Sequence, residues 1–292
     1  MRLLRAGILP ICLMSVTSGL SAQELRLQVP QTIAAGSAFQ LVTSGGGPKA
    51  TLLISGPGGA LSRSVQPGET VSINGADLYN AGVYVAVLAQ GSSSAFGTFT
   101  ILPARQPQSI SFLARPSRLP VGLHDGINGS AYIFDAYHNL ITTPMPVSFD
   151  LSTATATAQS RTVTSREGVA WTAMDSATRQ GSARFVAHVG DVLSTHVVDQ
   201  VPGDPCGLNM TAHPDGKRVV LETAPVKDCS GNPVPDGTVV TFTESYGGEQ
   251  STVDAPLKQG IARAEMPSVP GARISVASGV VAGNEIRWDG AR

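Results

Sequence analysis

The sequence predicts an all-β chain of three tandem two-layer β-sandwiches behind a signal peptide, and three observations lead there. First, Gly 32 and Pro 20 sit beside only 14% charged residues, below the ~25% usual for globular domains. Second, short β-prone runs alternate with turn residues along the whole chain. Third, a unit of about 92 residues recurs in the last two thirds, as expected when one supersecondary unit has been copied.

The first 22 residues, "MRLLRAGILPICLMSVTSGLSA", read as a secretory signal peptide. Arg2 and Arg5 give a basic start, Ile8 to Val16 an apolar run, and Ser21 and Ala22 a small-residue exit. An apolar core of about 10 residues is too short for a spanning helix, which needs ~20. Ile11 before Cys12 does not suit lipid attachment. Removal of the two arginines leaves 18 basic side chains against 21 acidic ones. Without a basic stripe or polybasic segment, nucleic acid and membrane surfaces are not expected partners. The chain is therefore expected in the periplasm, outside the cell or at its surface.

Residues 23–104 carry "AFQLVTS" (38–44), "ATLLISG" (50–56), "TVSING" (70–75), "GVYVAVLAQ" (82–90) and "AFGTFTILP" (95–103), with "GPGG" and "PG" as turns between them. This spacing predicts a sandwich of six or seven strands. Tyr84, two residues after Gly82 at a strand start, stands where immunoglobulin-like folds place a tyrosine that bonds back to the preceding corner. A plain core aromatic is the alternative. "LPARQPQS" (102–109) and "VVDQVPGDP" (197–205) read as linkers. The expected domains are residues 23–104, 105–202 and 203–292.

The repeat is anchored on "KDCSGNPVPDGTVVTF" (227–242). Asp228 and Asn232 match Asp135 and Asn139, and Phe242 matches Phe149. "MTAHP" answers "FLARP", "GIARAEM" answers "GVAWTAM", and "GARISVA" answers "GSARFVA", with Gly271 on Gly181. In each copy a strand ends near the Asp, a Gly-Asn or His-Asn pair turns the chain, and the third copy's prolines preset the extended return. No lysine follows in a strand-to-helix context, so this is not a phosphate loop.

The ordered set of these segments resembles the bacterial immunoglobulin-like repeat of the intimin and invasin adhesins over residues of about 108–290. The third domain carries it through Asp228, Gly231, Asn232, Pro233, Val234 and Phe242. The second carries it through "DGINGSAYIFD", Asn139 and Phe149, with His138 in place of a glycine. The resemblance implies rod-like extracytoplasmic spacers or adhesive modules on bacterial surfaces, with no catalysis of their own.

Two cysteines, Cys206 and Cys229, remain after the signal. In an exported chain an even, small count reads as one disulfide. If "CGLNMTAH" and "KRVVLETAPVKD" pair antiparallel about a turn near Pro214, Asp215 and Gly216, the two cysteines fall side by side. The redox alternative would want a C-x-x-C pair, which the sequence lacks. In "GIARAEM" the charges of Arg263 and Glu265 turn Ala262, Ala264 and Met266 inward. The same register puts Ala170, Thr172 and Met174 inside and Trp171 outside. An outward Trp171 marks a contact surface, or else packs on a neighbouring loop or domain.

The sequence contains few residues in reactive or metal-binding patterns. His124, His138, His188, His196 and His213 show none of the HxH, HExxH or HxxxH spacings of metal sites. "LHDG" (123–126) reads as a polar turn, and "STATATAQS" (152–160) as a flexible loop. No G-x-S-x-G elbow occurs. Asn128 and Asn209 match glycosylation acceptors by coincidence of letters. No catalytic residue, cofactor or metal is therefore expected. The expected function is a non-catalytic binding, adhesive or structural module whose partner is a protein or glycan at the cell envelope. The alternative is a carbohydrate-binding accessory protein or glycan-active enzyme. It would want several exposed aromatics on one face, against an aromatic content of 5%.

Overall fold

The computed structural model describes residues 24–154 and 156–290. The predicted signal peptide lies outside them. Among the described residues there are 23 strands and no α-helix, and the chain divides into two compact units, Met1–Leu102 and Pro103–Arg292.

In the first unit the strands are β1 (Arg26–Gln28), β2 (Thr32–Ala34), β3 (Phe39–Ser44), β4 (Ala50–Gly56), β5 (Gly59–Val65), β6 (Thr70–Ile73), β7 (Gly82–Gln90) and β8 (Ser93–Leu102). They form a three-stranded sheet, β1-β3-β6, and a five-stranded one, β2-β8-β7-β4-β5. The period-2 alternation of Phe39 and Leu41, of Leu52 and Ile54, and of Tyr84, Ala86 and Leu88 puts these side chains in the core. Tyr84 is both of the things its position suggested. Its ring is fully buried and stacks on Phe99 with centroids 5.4 Å apart, while its hydroxyl donates to Asn80 O at 3.0 Å. Burial pushes the phenol pKa up, partly offset by a hydrogen bond with the Gly58 backbone.

The second unit begins with β9 (Ser109–Arg115), β10 (Arg118–Pro120), β11 (Ile127–Phe134), β12 (Pro146–Thr153), β13 (Gln159–Thr164), β14 (Val169–Met174), β15 (Gly181–Val189) and β16 (Val192–Val201). Their sheets, β14-β11-β9 and β10-β16-β15-β12-β13, repeat the strand order of the first unit. It continues with β17 (Met210–Asp215), β18 (Arg218–Thr223), β19 (Val239–Tyr246), β20 (Glu249–Pro256), β21 (Arg263–Pro267), β22 (Ala272–Ser278) and β23 (Val281–Trp288). These form β17-β18-β21 and β20-β19-β22-β23. Each sandwich of this unit has its own core, one around Phe112, Phe149 and Phe185 and the other around Leu221, Phe242 and Ile274. The chain is thus all-β and immunoglobulin-like, with one strand order used three times, the third copy without a counterpart of β2 and β10.

Four details differ from expectation. Residues 197–201 are not linker but the end of β16, where Val198 and Gln200 point inward; the prolines that follow mask that alternation. The polar loop between β12 and β13 is shorter than 152–160, because β12 runs to Thr153 and β13 starts at Gln159. The β17–β18 turn is centred on Gly216 and Lys217, since Asp215 pairs with Arg218. Burial matches Ala272 with Ala183 rather than Gly271 with Gly181, a one-residue slip that keeps Ala-Arg on Ala-Arg.

Candidate contact surface

The loops that anchor the repeat are each built around a carboxylate. In the third sandwich Asp228 Oδ1 accepts the backbone N–H groups of Ser230 and Asn232, at 2.9 and 2.8 Å. Oδ2 accepts Gly203 N at 3.0 Å, so the same side chain holds the preceding linker. Asp135 does this in the second sandwich, taking Tyr137 N, Asn139 N and Ala104 N. Burial alone would raise the pKa of either aspartate, but the converging N–H donors and the Asn side-chain amide outweigh it and hold both below the ordinary carboxylate range. Gly231 has φ +87° in this loop, and its counterpart His138 has φ +62°, a left-handed conformation a side chain tolerates at a cost of roughly 1–2 kcal/mol.

Asn232 goes further. Its Nδ2 donates to Thr178 O at 2.8 Å, and its Oδ1 accepts Gln180 N at 3.2 Å, both in the loop between β14 and β15 of the second sandwich. The side chain is 7% exposed. The punctuation in "DCSGNPVP" therefore shapes a latch that ties the third sandwich to the second.

The two cysteines meet as expected. Cys206 and Cys229 are bonded with Cα atoms 4.8 Å apart. The β17–β18 register continues past the strand ends, through Ala224 N to Asn209 O and Cys206 N to Lys227 O, and delivers the first thiol beside the latch loop.

Ala170, Thr172 and Met174 face the core of the second sandwich, and Trp171 faces solvent with 64% of its surface exposed. Cross-strand pairing sets Leu113, Ser130 and Trp171 in one row on the outer face of β9, β11 and β14. Beside Trp171 lies a shallow groove of about 530 Å³ lined by Val163, Thr164, Arg166, Val169, Ala170 and Trp171. No carboxylate among the described residues stands within ion-pair distance of Arg166.

Of the histidines, His124 belongs to a cluster that its sequence neighbours could not disclose. Asp175, fifty residues on from Asp125, accepts Asp125 N and His124 Nδ1, each at 2.8 Å. These contacts pin the "LHDG" turn, hold Asp175 below the ordinary carboxylate range, and leave the cluster on the surface. His196 bonds Phe112 O at 2.7 Å and joins the two sheets of the second sandwich.

No protein-family description and no curated protein matches the chain. Among solved structures it is similar to InvD of Yersinia pseudotuberculosis, at 13% identity and TM-score 0.47, covering 91% of this chain and 96% of that one. It is similar to invasin, a bacterial integrin-binding protein, at 13% identity and TM-score 0.47, covering 89% of this chain and 58% of that one. It is also similar to the FN1–FN3 domains of chicken CNTN1, at 11% identity and TM-score 0.40, covering 91% of this chain and 95% of that one.

Proposed function

We propose that the chain is a non-catalytic, exported, multi-domain immunoglobulin-like protein that acts as a binding, adhesive or structural module at the bacterial cell envelope. The observation that carries this reading is the latch at Asp228 and Asn232. A loop that grips both its own linker and the preceding sandwich stiffens the module, so its outer faces are held in fixed positions. Stiffness of that kind serves a spacer or an adhesive surface. The Cys206–Cys229 bond supports export, because such bonds persist in oxidising compartments. The exposed Trp171 supports contact with a protein or glycan, since tryptophan concentrates binding energy at interfaces.

The test uses the tagged mature chain. Non-reducing gels of cell fractions should find the bridge formed and the protein in the periplasm, medium or surface fraction. A pull-down from envelope extract should retain a specific partner. A cytoplasmic protein with both thiols free would overturn the reading. So would turnover of any glycan in a hydrolase panel, which would move the chain to the carbohydrate-active class.

A further inference from the structure

The three copies of one strand order share one weakness, an open edge on the three-stranded sheet. In each sandwich the strand before it, β5, β13 or β20, pairs in the other sheet, so no strand is hydrogen-bonded to β6, β14 or β21 on its outer side, although β13 passes close to β14 and β20 close to β21. Such an edge exposes alternate backbone N–H and C=O groups and invites another strand. The ladder bonds fix which residues these are. Ile133 N bonds Gly168 O, so the even residues of β14 face β11 and Val169, Trp171, Ala173 and Asp175 face outward. Thr223 N bonds Ala262 O, so Arg263, Glu265 and Pro267 face outward on β21.

Two of the three edges are guarded. On β6, Ser72 O is capped by Arg63 Nη1 at 3.1 Å. On β21, the outward positions are Arg263, Glu265 held by Arg218, and Pro267, which has no N–H to offer. Charges and proline are the usual protection of sheet edges. Over Val169, Trp171 and Ala173 the β14 edge has neither. Its ends are closed, by Arg166 bonding both backbone groups of Val169 and by the Gln159 amide bonding Asp175 N and O. Between them, Trp171 N–H, Trp171 C=O and Ala173 N–H have no protein partner among the described residues, and Ala173 O meets only the Thr172 hydroxyl at 3.5 Å. The groove beside Trp171 opens at this gap.

We infer that the β14 edge of the second sandwich takes a short extended segment of a partner polypeptide, which adds as a strand between Arg166 and Gln159. The bracketed shape selects the occupant. A second copy pairing through the same edge would bring its own two brackets to the recess, each ending the run of free backbone groups early. A free linear segment meets no such obstacle. Charge sets its polarity. Among the described residues Arg166 at one end has no carboxylate partner, so the segment bears an acidic residue there, and an apolar residue beside Trp171. Specificity then comes from the side chains, and affinity from the backbone bonds of Trp171 and Ala173.

This inference rests on the chain being a binding module, and the experiment separates the two. The probes are blocked seven-residue peptides of alternating valine and threonine, ending in one aspartate or one lysine. In the free mature chain, amide exchange by NMR should find Trp171 and Ala173 fast and Thr172 slow. The aspartate peptide should slow both fast amides and shift the Trp171 emission, while the lysine peptide binds about tenfold more weakly. Ala173→Pro removes an outward donor at an edge position where a strand tolerates proline, and should weaken binding at least about tenfold while the second sandwich stays folded. Trp171→Arg with Ala173→Glu copies the guarded register of β21 and should abolish binding. Slow exchange at Trp171 and Ala173 in the free chain would overturn the inference. Undiminished binding by a stably folded Ala173→Pro variant would do the same, as would a dimer that the double substitution dissociates. Capture of an envelope partner through another surface, with the peptides silent, would overturn the edge assignment and leave the module reading intact.

Discussion

Asp228 and Asn232 are the residues on which the junction between the second and third sandwiches turns. The carboxylate takes four donors and the amide spans to Thr178 and Gln180. A carboxylate whose folded pKa lies below its unfolded value adds stability that is full above the unfolded pKa and lost as the pH falls through the folded one. The latch is therefore expected to hold at neutral pH and to loosen in acid, below the ordinary Asp range of about 4. Asp228→Asn turns a second amide N–H₂ toward the N–H donors and should cost about 1–3 kcal/mol at neutral pH. In thermal melts its deficit against the unaltered chain should shrink as the pH is lowered, because the unaltered carboxyl is then protonated as well. A deficit independent of pH would mean that the charge at position 228 does not hold the loop. Asn232→Ala should leave the third sandwich folded but free the β14–β15 loop, read as faster amide exchange at Gln180.

At the scale of the strand, β19 contains an acid where its copy β12 contains an apolar residue. Phe242 answers Phe149, and two residues on Glu244 answers Leu151. Glu244 is 6% exposed, its Oε1 has no hydrogen-bond partner among the described residues, and burial pushes its pKa up. With the folded pKa above the unfolded one, the penalty is absent in acid and grows as the pH rises through the folded value. Glu244→Leu should therefore stabilise the third sandwich by about 1–4 kcal/mol at neutral pH, with a smaller gain in acid, where the carboxyl is neutral. Calorimetry at the two pH values checks this, and an equal gain at both would refute it. Strands such as β4, β7 and β14 were legible because hydrophobic alternation and turn residues agree. Strand β5 was not, since "GALSRSV" buries only Val65 and follows a Gly-rich turn. The inward face of Trp171's neighbours was legible from Arg263 and Glu265 one repeat away. The open edge was not, because it depends on where β13 pairs, and that partner lies in the other sheet. Nor was the reach of Asn232, whose partners are more than fifty residues away.

For the molecule as a whole, the division into units predicts how the chain comes apart. Met1–Leu102 is one compact unit, and Pro103–Arg292 holds two sandwiches whose separate cores are coupled by the latch and whose last member is stapled by a bridge. Several cores in one chain should melt in more than one transition. The bridge closes a loop with a sequence separation of 23, and its loss is worth roughly 3 kcal/mol in the chain-entropy model. In a domain of this size that corresponds to a fall in Tm on the order of 10–20 °C. Reduction should thus move the transition of the third sandwich and leave that of the first unit in place. The second sandwich should follow only as far as Asn232 couples it, so reduction of an Asn232→Ala chain should separate the two. If reduction instead lowers every transition equally in the Asn232→Ala chain, the sandwiches share a coupling that neither the latch nor their separate cores account for.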